Sequence, residues 1–240
     1  MLYGTNVGYY TLDSMHTTLR ALHTDGYAVA PNLVAPRETA AVARVLRRVQ
    51  LRGAGTRNLL RQPWCRALVQ RIRARLVNLN VLAASSVAVQ CTLFDKTPER
   101  NWLVAFHQDL SIPVRARVHS ARLGAWSEKE GEHFVQVPPE ILESLLAVRV
   151  HIDDCDLENG PIRFVAGSHR RGRLSTIAAR ELRATVGEEA CPAKNGDAIL
   201  MRPLTLHASS KASAPRQRRV LHILFGPPSL PYGLDWKHAV

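Results

Sequence analysis

The sequence Phe106-His107-Gln108-Asp109 closes an apolar segment, and a second histidine, His207, follows about a hundred residues later. Residues two apart on a β-strand project from the same face, so His107 and Asp109 are expected to point into a common space. A second imidazole from a distant strand completes a set of two histidines and one carboxylate. Such a set can occupy one face of an octahedral iron(II) ion and leave the opposite positions open. Arg218 lies eleven residues beyond His207, and its planar, permanently charged group suits a carboxylate.

Length and composition predict one ordinary domain. The chain has 240 residues with a hydrophobic fraction of 46%, which predicts a single domain over 1–240 with a full-sized core. We expect residues 1–20 to be disordered or to form an extra N-terminal segment. We find neither the basic and apolar start of a secretory signal nor an apolar stretch long enough for a bilayer. The four cysteines are widely spaced, which is typical of a reducing cytoplasmic location.

The net charge of +12 is concentrated in the N-terminal third of the chain. Between Arg37 and Arg75 there are eleven arginines and a single acid, Glu38. Such a surface could bind nucleic acid or another anionic partner. Trp64 is the one aromatic residue among these arginines, however, so base stacking has little support. We expect an arginine-rich, solvated helical face and no nucleic-acid partner.

The predicted elements change from helical to β along the chain. Apolar residues at helical spacing predict that 16–52 is mostly helical, with a short strand or buried turn at 26–31, and that a second helix covers 64–76. After Asn80 the segments are short and rich in β-formers. We expect strands near 86–94, 102–109, 147–153, 162–165, 197–201 and 217–225, and helices at 138–147 and 175–185.

One long segment and the order of the elements complete the prediction of the fold. Residues 111–137 have no clear period, and we expect a long loop there that serves as a lid or substrate wall. Helices followed by many short strands favour a mainly β protein with flanking helices. This pattern is typical of a β-sandwich or barrel backed by N-terminal helices.

A second candidate pair competes with His107 and Asp109. His151-Ile152-Asp153 has the same spacing on a predicted strand, so on local grounds either triplet could supply the metal ligands. The first is favoured because Leu110-Ser-Ile-Pro follows it and could open as a loop over a site. The second leads into Leu157-Glu-Asn-Gly-Pro, which predicts a tight turn.

Four ordered motifs resemble the phytanoyl-CoA dioxygenase family. They are Asp25-Gly-Tyr-Ala-Val, Phe106-His-Gln-Asp109, Asn159-Gly-Pro-Ile-Arg-Phe-Val-Ala-Gly-Ser-His169 and His207-Ala-Ser209 followed by Arg218-Arg-Val. The resemblance runs from about residue 22 to 225. It implies a double-stranded β-helix, the jelly-roll or cupin-like barrel, with iron at its mouth. That fold agrees with the expected strand order.

The resemblance also implies roles for individual residues. His107, Asp109 and His207 match the iron(II) ligands of the family. Arg218 matches the arginine that binds the far carboxylate of 2-oxoglutarate, and Ser209 matches a hydroxyl that assists it. Two further positions, Gln90 and Lys96, resemble polar residues near the cosubstrate in ectoine-type hydroxylases of the same family.

These matches predict a non-haem iron(II)- and 2-oxoglutarate-dependent dioxygenase. It would use O₂ to hydroxylate an unactivated C–H bond of a small molecule and release succinate and CO₂; desaturation or ring formation remains an alternative. Two other classes stay open: a cupin-like metal enzyme that does not use 2-oxoglutarate, and a non-catalytic binding protein with a basic surface. Arg115, Arg117 and Arg122 in the expected lid suggest a substrate that carries a carboxylate or phosphate.

Overall fold

The computed structural model describes residues 12–49, 53 and 55–240. The first eleven residues of the expected N-terminal segment 1–20 lie outside this range, as do residues 50–52 at the end of the expected helical region. The α-helices of the described part are α1 (Leu12–Thr24), α2 (Pro36–Leu46), α3 (Pro63–Asn78), α4 (Pro139–Glu143) and α5 (Thr176–Val186). The strands of the same part are β1 (Tyr27–Ala30), β2 (Gly55–Thr56), β3 (Val87–Lys96), β4 (Val104–His107), β5 (Ser111–Val114), β6 (Trp126–Lys129), β7 (Glu132–Gln136), β8 (Leu146–His151), β9 (Ile162–Phe164), β10 (Glu189–Cys191), β11 (Ala198–Met201), β12 (His207–Ser209) and β13 (Arg218–Gly226).

Antiparallel sheets form the body of the described chain. The larger sheet has the order β1-β11-β8-β13-β3-β2, and a second sheet has the order β10-β9-β12-β4. Strands that are distant in the sequence pair in both sheets, so the connections cross between them as in a jelly roll. Every strand expected from the sequence is present, and the mainly β jelly-roll prediction is confirmed.

Alternation along the larger sheet separates two apolar layers. Val148 and Val150 on β8 pack with residues of α2 and α3 on the outer face of the sheet. Ala147 on the same strand faces the interior, where it packs with Phe164 of the second sheet. Because side chains on a strand alternate between faces, every second residue of β8 and β13 is directed into the barrel. This alternation supplies the polar groups of the site described below.

The segment 111–137 is not the long loop that the sequence suggested. It forms a third antiparallel sheet with the order β5-β7-β6. The β6–β7 connection is a tight hairpin in which Glu130 and Gly131 both have positive φ, 53° and 75°, as a two-residue turn of this kind requires. The prediction was wrong because each strand has only four or five residues and because Pro113 falls within β5, where an edge strand tolerates it.

The helix expected over 138–147 ends at Glu143. Ser144 follows as the C-terminal cap, and its hydroxyl donates to the carbonyl oxygen of Ile141 at 2.6 Å. The apolar residues from Leu146 onward instead begin β8, which lies between β11 and β13. A fully buried strand gives a continuous apolar run that periodicity alone does not distinguish from a buried helix.

Arginines of the basic N-terminal third connect the helices to one another. Arg71 and Arg75 on α3 pair with Glu38 on α2 at 2.9 and 2.7 Å. Arg75 also donates to the carbonyl oxygen of Leu33 at 3.0 Å. These contacts give part of the arginine cluster a structural role. In the described residues we find no helix with the length and apolar character that crossing a membrane requires.

The Arg219–Asp153 ion pair fixes the outer face of β13. Arg219 donates from Nε and NH2 to the two carboxylate oxygens of Asp153 at 2.8 and 2.7 Å, and its backbone N–H donates to the same group. Removing one partner of a mostly buried pair leaves the other charge without compensation. We expect Asp153→Ala to lower the free energy of unfolding by about 3 kcal/mol in urea denaturation.

A neighbouring aspartate supplies the control for this prediction. Asp154 is exposed and accepts one hydrogen bond, from the backbone N–H of Asn195 at 2.7 Å. We expect Asp154→Ala to cost only about 1 kcal/mol. Equal losses in the two variants would contradict a structural role for the ion pair.

Candidate metal centre and anion pocket

The pairing of β12 with β4 brings His107 and His207 together. The two residues are direct cross-strand partners, and their ring centroids are 4.3 Å apart. Asp109 follows β4 after one residue, and its backbone N–H donates to the carbonyl oxygen of Pro203 at 2.9 Å. Asp109 Oδ1 lies 3.6 Å from His107 Nε2, and Oδ2 lies 3.8 Å from His207 Nε2.

The imidazole orientations suit metal binding. His107 Nδ1 is 2.9 Å from the carbonyl oxygen of Ala105, and His207 Nδ1 is 2.8 Å from that of Thr205. A carbonyl oxygen only accepts, so we assign the proton to Nδ1 in each ring, which leaves Nε2 with a free lone pair. One ligand atom from each of His107, Asp109 and His207 lies within 4.8 Å of the others. These three residues could hold a metal ion. In each histidine the ring nitrogen that does not face the ion contacts a backbone carbonyl oxygen, as is usual for metal-binding histidines.

The electrostatics favour the ligand forms of these side chains. Burial lowers the pKa of His207 to about 4, so its imidazole is neutral near pH 7. Burial by itself raises the pKa of Asp109, but the adjacent His207, His222 and His107 lower it further than burial raises it. Neutral imidazoles and an ionised carboxylate are the states in which these groups bind divalent metals. The donor set therefore fits iron(II).

Gln108, between the first two candidate ligands, anchors this part of the chain. Its amide nitrogen donates to the carbonyl oxygens of Gly172 and Leu204 at 2.8 and 2.7 Å, and its oxygen accepts from the backbone N–H of Leu174 at 2.8 Å. These three hydrogen bonds fix the chain between His107 and Asp109.

Arg218, Ser209 and Lys96 form a buried cationic pocket on the inner face of the larger sheet. Arg218 and Lys96 are cross-strand partners. The Lys96 ammonium donates to Ser209 Oγ at 3.2 Å and to the carbonyl oxygen of Ser210 at 2.6 Å. Arg218 NH2 lies 3.5 Å from Ser209 Oγ, and NH1 donates to the carbonyl oxygen of Gly160. Burial, with a contribution from nearby Arg218, lowers the pKa of Lys96 to about 8.

The cationic pocket is suited to an anionic group. Arg218 Nε is buried with no hydrogen-bond partner within the described structure. Gly160, whose carbonyl oxygen faces Arg218, has φ of 62°, and a side chain there would meet the carbonyl oxygen of Ser210 at 2.6 Å. Glycine is therefore required for the turn that closes this pocket. Two cations, one of which has an unsatisfied Nε–H donor, match a carboxylate.

The metal candidates and the cationic pocket open into one cavity of about 550 Å³. Gln90 lines it, and the Gln90 amide donates to Thr92 Oγ1 at 2.9 Å. Among the described residues that line the cavity, Asp109 is the one carboxylate. The cavity is therefore strongly electropositive before any ligand binds.

The rival triplet does not form a comparable site. His151 lies inside the barrel at 2% exposure, and neither ring nitrogen has a hydrogen-bond partner in the part of the chain described. Its companion Asp153 faces the opposite side of the sheet and pairs with Arg219. The two halves of the triplet are thus separated, and Arg219 is directed away from the cavity.

The arginines of the expected lid do not line the cavity. Arg115 and Arg122 are 68% and 63% exposed and lie beside Asp235 and Glu140. Arg117 lies over the ring of Trp126. These three arginines therefore give no support to the expected acidic substrate.

Other cations line the cavity in their place. They are Arg57, Lys129 and Arg149. The sequence did not point to these three cations. Arg149 could have been identified, because it is two residues from His151 on a predicted strand and therefore shares its face. Lys129 reaches the cavity from β6 of the third sheet, which the sequence did not reveal. Arg57 follows β2 at the edge of the larger sheet and pairs with Glu130 of the β6–β7 hairpin.

Comparison with known proteins identifies the family. The model of the phytanoyl-CoA dioxygenase family matches residues 22–220. Among curated proteins, nothing matches the chain.

Solved structures share the fold. The epimerase SnoN from nogalamycin biosynthesis, in complex with Fe³⁺, α-ketoglutarate and nogalamycin RO, has 17% identity and a TM-score of 0.69, over 95% of this chain and 94% of its own. AviO1 from Streptomyces viridochromogenes Tue57 has 22% identity and a TM-score of 0.64, over 93% and 99%. HygX from Streptomyces hygroscopicus, with nickel and 2-oxoglutarate bound, has 16% identity and a TM-score of 0.61, over 91% and 88%.

The family model covers most of the chain, and the residues that it spans include the paired histidines and the cationic pocket. The chain belongs to the phytanoyl-CoA dioxygenase family of iron(II)- and 2-oxoglutarate-dependent oxygenases.

Proposed function

We propose that the chain is a hydroxylase that inserts oxygen into an unactivated C–H bond of a small molecule. In this proposal His107, Asp109 and His207 hold iron(II), and the observation that carries it is the convergence of their ligand atoms within 4.8 Å. Iron bound there supplies O₂ activation coupled to the conversion of 2-oxoglutarate to succinate and CO₂. Asp109 fills the ligand position that a halogenase would leave to chloride, which favours hydroxylation.

The residues of the chain position the cosubstrate. Arg218, Ser209 and Lys96 bind the far carboxylate of 2-oxoglutarate, since the two cations lie 3.5 and 3.2 Å from the Ser209 hydroxyl oxygen. Gln90 contributes a polar wall on the same side of the cavity. Holding reacting groups in a fixed orientation is itself a large part of catalysis. The apolar residues around the cavity limit the access of water to the reaction.

Succinate formation from 2-oxoglutarate tests the metal and cosubstrate assignments. We expect His107→Ala to lower turnover at least about a hundredfold, because the loss of a ligand removes the ion. We expect Arg218→Ala to raise the KM for 2-oxoglutarate by about ten- to a hundredfold, the loss of a charged hydrogen bond. His119→Ala is the control, since His119 is exposed.

The same assay distinguishes the alternatives. Turnover that survives in His107→Ala would contradict the metal assignment. An unchanged KM in Arg218→Ala would contradict the cosubstrate assignment and favour a metal enzyme that does not use 2-oxoglutarate. Mass analysis of the product then separates hydroxylation, a gain of one oxygen, from desaturation or ring formation.

The low pKa of Lys96 predicts a pH dependence of cosubstrate binding. Lys96 is protonated below its pKa of about 8 and attracts the dianion, whereas above that pKa it is increasingly neutral. The groups that face it are Arg218, Arg149 and Cys155, and they do not add a competing carboxylate. We expect the Kd of 2-oxoglutarate on the metal-loaded protein to be flat below pH 7 and to rise by up to about tenfold per pH unit above 8.

Lys96→Met is the matched variant for this titration. It keeps a long side chain without charge, so its Kd should exceed that of the wild type below pH 8 and should not vary with pH in the same range. A wild-type profile that coincides in shape with that of Lys96→Met would contradict a role for Lys96 in binding the cosubstrate.

Lys129, which lines the cavity, supports an acidic substrate. Its ammonium lies 5.0 Å from the centroid of the Phe134 ring, and in the described structure no carboxylate forms an ion pair with it. The hairpin that carries it is anchored by Glu130, which accepts from the Thr56 hydroxyl at 2.7 Å and from the Arg57 backbone N–H at 3.0 Å. We propose that Lys129 binds a carboxylate or phosphate of the substrate.

Matched acid and amide compounds test this substrate class. We expect acids to stimulate 2-oxoglutarate turnover more than their amides. Lys129→Gln should lower this acid-to-amide ratio about tenfold, because one charged contact is lost. Lys129→Arg should retain the preference, and exposed Lys211→Gln should leave it unchanged. Equal stimulation by acids and amides would contradict the proposal.

A further inference from the structure

Arg149 is a buried cation that lines the cavity and has no role in the proposed binding of the cosubstrate. It lies on the inner face of β8 at 9% exposure, directly across from His222 on β13. Its guanidinium lies over the ring of Phe94, 5.3 Å from the centroid. Arg149 Nε is buried and has no hydrogen-bond partner among the described residues. A buried arginine without a carboxylate partner is costly, so its retention points to a role in the site.

The contact between Arg149 and His222 fixes the tautomer of the imidazole. Arg149 NH1 lies 3.1 Å from His222 Nδ1. A guanidinium can only donate, so His222 Nδ1 must accept and the ring proton must be on Nε2. A doubly protonated imidazole would place an N–H against the guanidinium, and that arrangement is repulsive. His222 is therefore neutral, with a single N–H whose direction Arg149 determines.

The nitrogen that carries this N–H lies near Asp109. His222 Nε2 lies 4.0 Å from Asp109 Oδ2, and the His222 side chain is only 13% exposed. The Asp109 side chain is 37% exposed within the cavity. A carboxylate that gives one oxygen to a metal ion keeps the other as an acceptor. His222 is the neighbour placed to donate to it.

We propose that Arg149 and His222 act as a positioning pair for Asp109, in which Arg149 orients His222 and the His222 Nε2–H holds the carboxylate in its metal-binding orientation. This inference rests on the proposed role of Asp109 as a metal ligand. It assigns Arg149 to the metal side of the cavity and leaves the far carboxylate of 2-oxoglutarate to Arg218 and Lys96. Neither member of the pair contacts the reacting atoms in this account.

Two matched pairs of variants test the inference. His222→Gln keeps an N–H near the position of Nε2, whereas the shorter His222→Asn places its amide near Nδ1 and cannot reach Asp109. Arg149→Lys keeps a donor toward His222, whereas Arg149→Met keeps the length without the donor. The measurements are the Kd of Mn²⁺ for the metal-free protein without cosubstrate, and the visible charge-transfer absorption of the anaerobic iron(II)–2-oxoglutarate complex. Thermal unfolding of each variant reports its folding.

We expect His222→Asn and Arg149→Met to weaken Mn²⁺ binding by about ten- to a hundredfold, as the loss of a partner to a metal ligand does. His222→Gln and Arg149→Lys should stay within about threefold of the wild type and retain the absorption band. A purely structural role for the pair would not separate His222→Gln from His222→Asn.

Other outcomes overturn the inference in recognisable ways. Unchanged Mn²⁺ affinity in Arg149→Met together with weaker 2-oxoglutarate binding would make Arg149 a cosubstrate ligand. Equal losses of Mn²⁺ affinity in all four variants would show that the pair contributes only packing. Unchanged Mn²⁺ affinity in all four would show that the pair does not position Asp109. A wild-type protein that binds no Mn²⁺ would instead contradict the metal assignment of the proposed function itself.

Discussion

The direct pairing of His207 with His107 across β12 and β4 is the constraint on which the site depends. Strand pairing fixes both backbones, and the period of two along a strand then decides that both imidazoles enter the same space. A slip of one residue in this register would turn one histidine to the opposite face. Asp109 requires no strand of its own, because the chain is held just beside it by Gln108 and by the hydrogen bond from its own backbone to Pro203.

The same alternation places polar groups inside an otherwise apolar barrel. β8 directs Arg149 and His151 inward, and β13 directs Arg218 and His222 inward, while their neighbours pack against the helices. Cations buried without carboxylates lower the stability of the fold. They also leave the cavity electropositive, which suits a dianionic cosubstrate and the proposed acidic substrate. The arrangement is consistent with a protein that gives up stability where it binds ligands.

The sequence predicted most of the fold because its strongest signals are local. The strands around Val148 and Val220 are short runs of β-formers, and the jelly-roll prediction followed from their order and from the family motifs. The third sheet was missed since its strands are short and β5 contains Pro113, and only Gly131 marked its hairpin. The helix over 138–147 was extended too far because a buried strand and a buried helix both appear as apolar runs.

Part of the candidate site could likewise be predicted from the sequence, and part depends on how the strands pair. The spacing of His107 and Asp109 and the family resemblance named the residues that the structure brings together. Local spacing could not decide between that pair and His151 with Asp153; the structure separates the second pair across the sheet. The contact of Arg149 with His222 depends on the register of β8 against β13, which no local pattern in the sequence encodes.

A crystal structure of the protein with Mn²⁺ and 2-oxoglutarate tests the central claim most directly. The account predicts the ion bound by His107 Nε2, His207 Nε2 and the Asp109 carboxylate, with the far carboxylate of 2-oxoglutarate between Arg218 and Lys96. An ion bound elsewhere in the cavity, or 2-oxoglutarate bound with its far carboxylate away from Arg218, would contradict it.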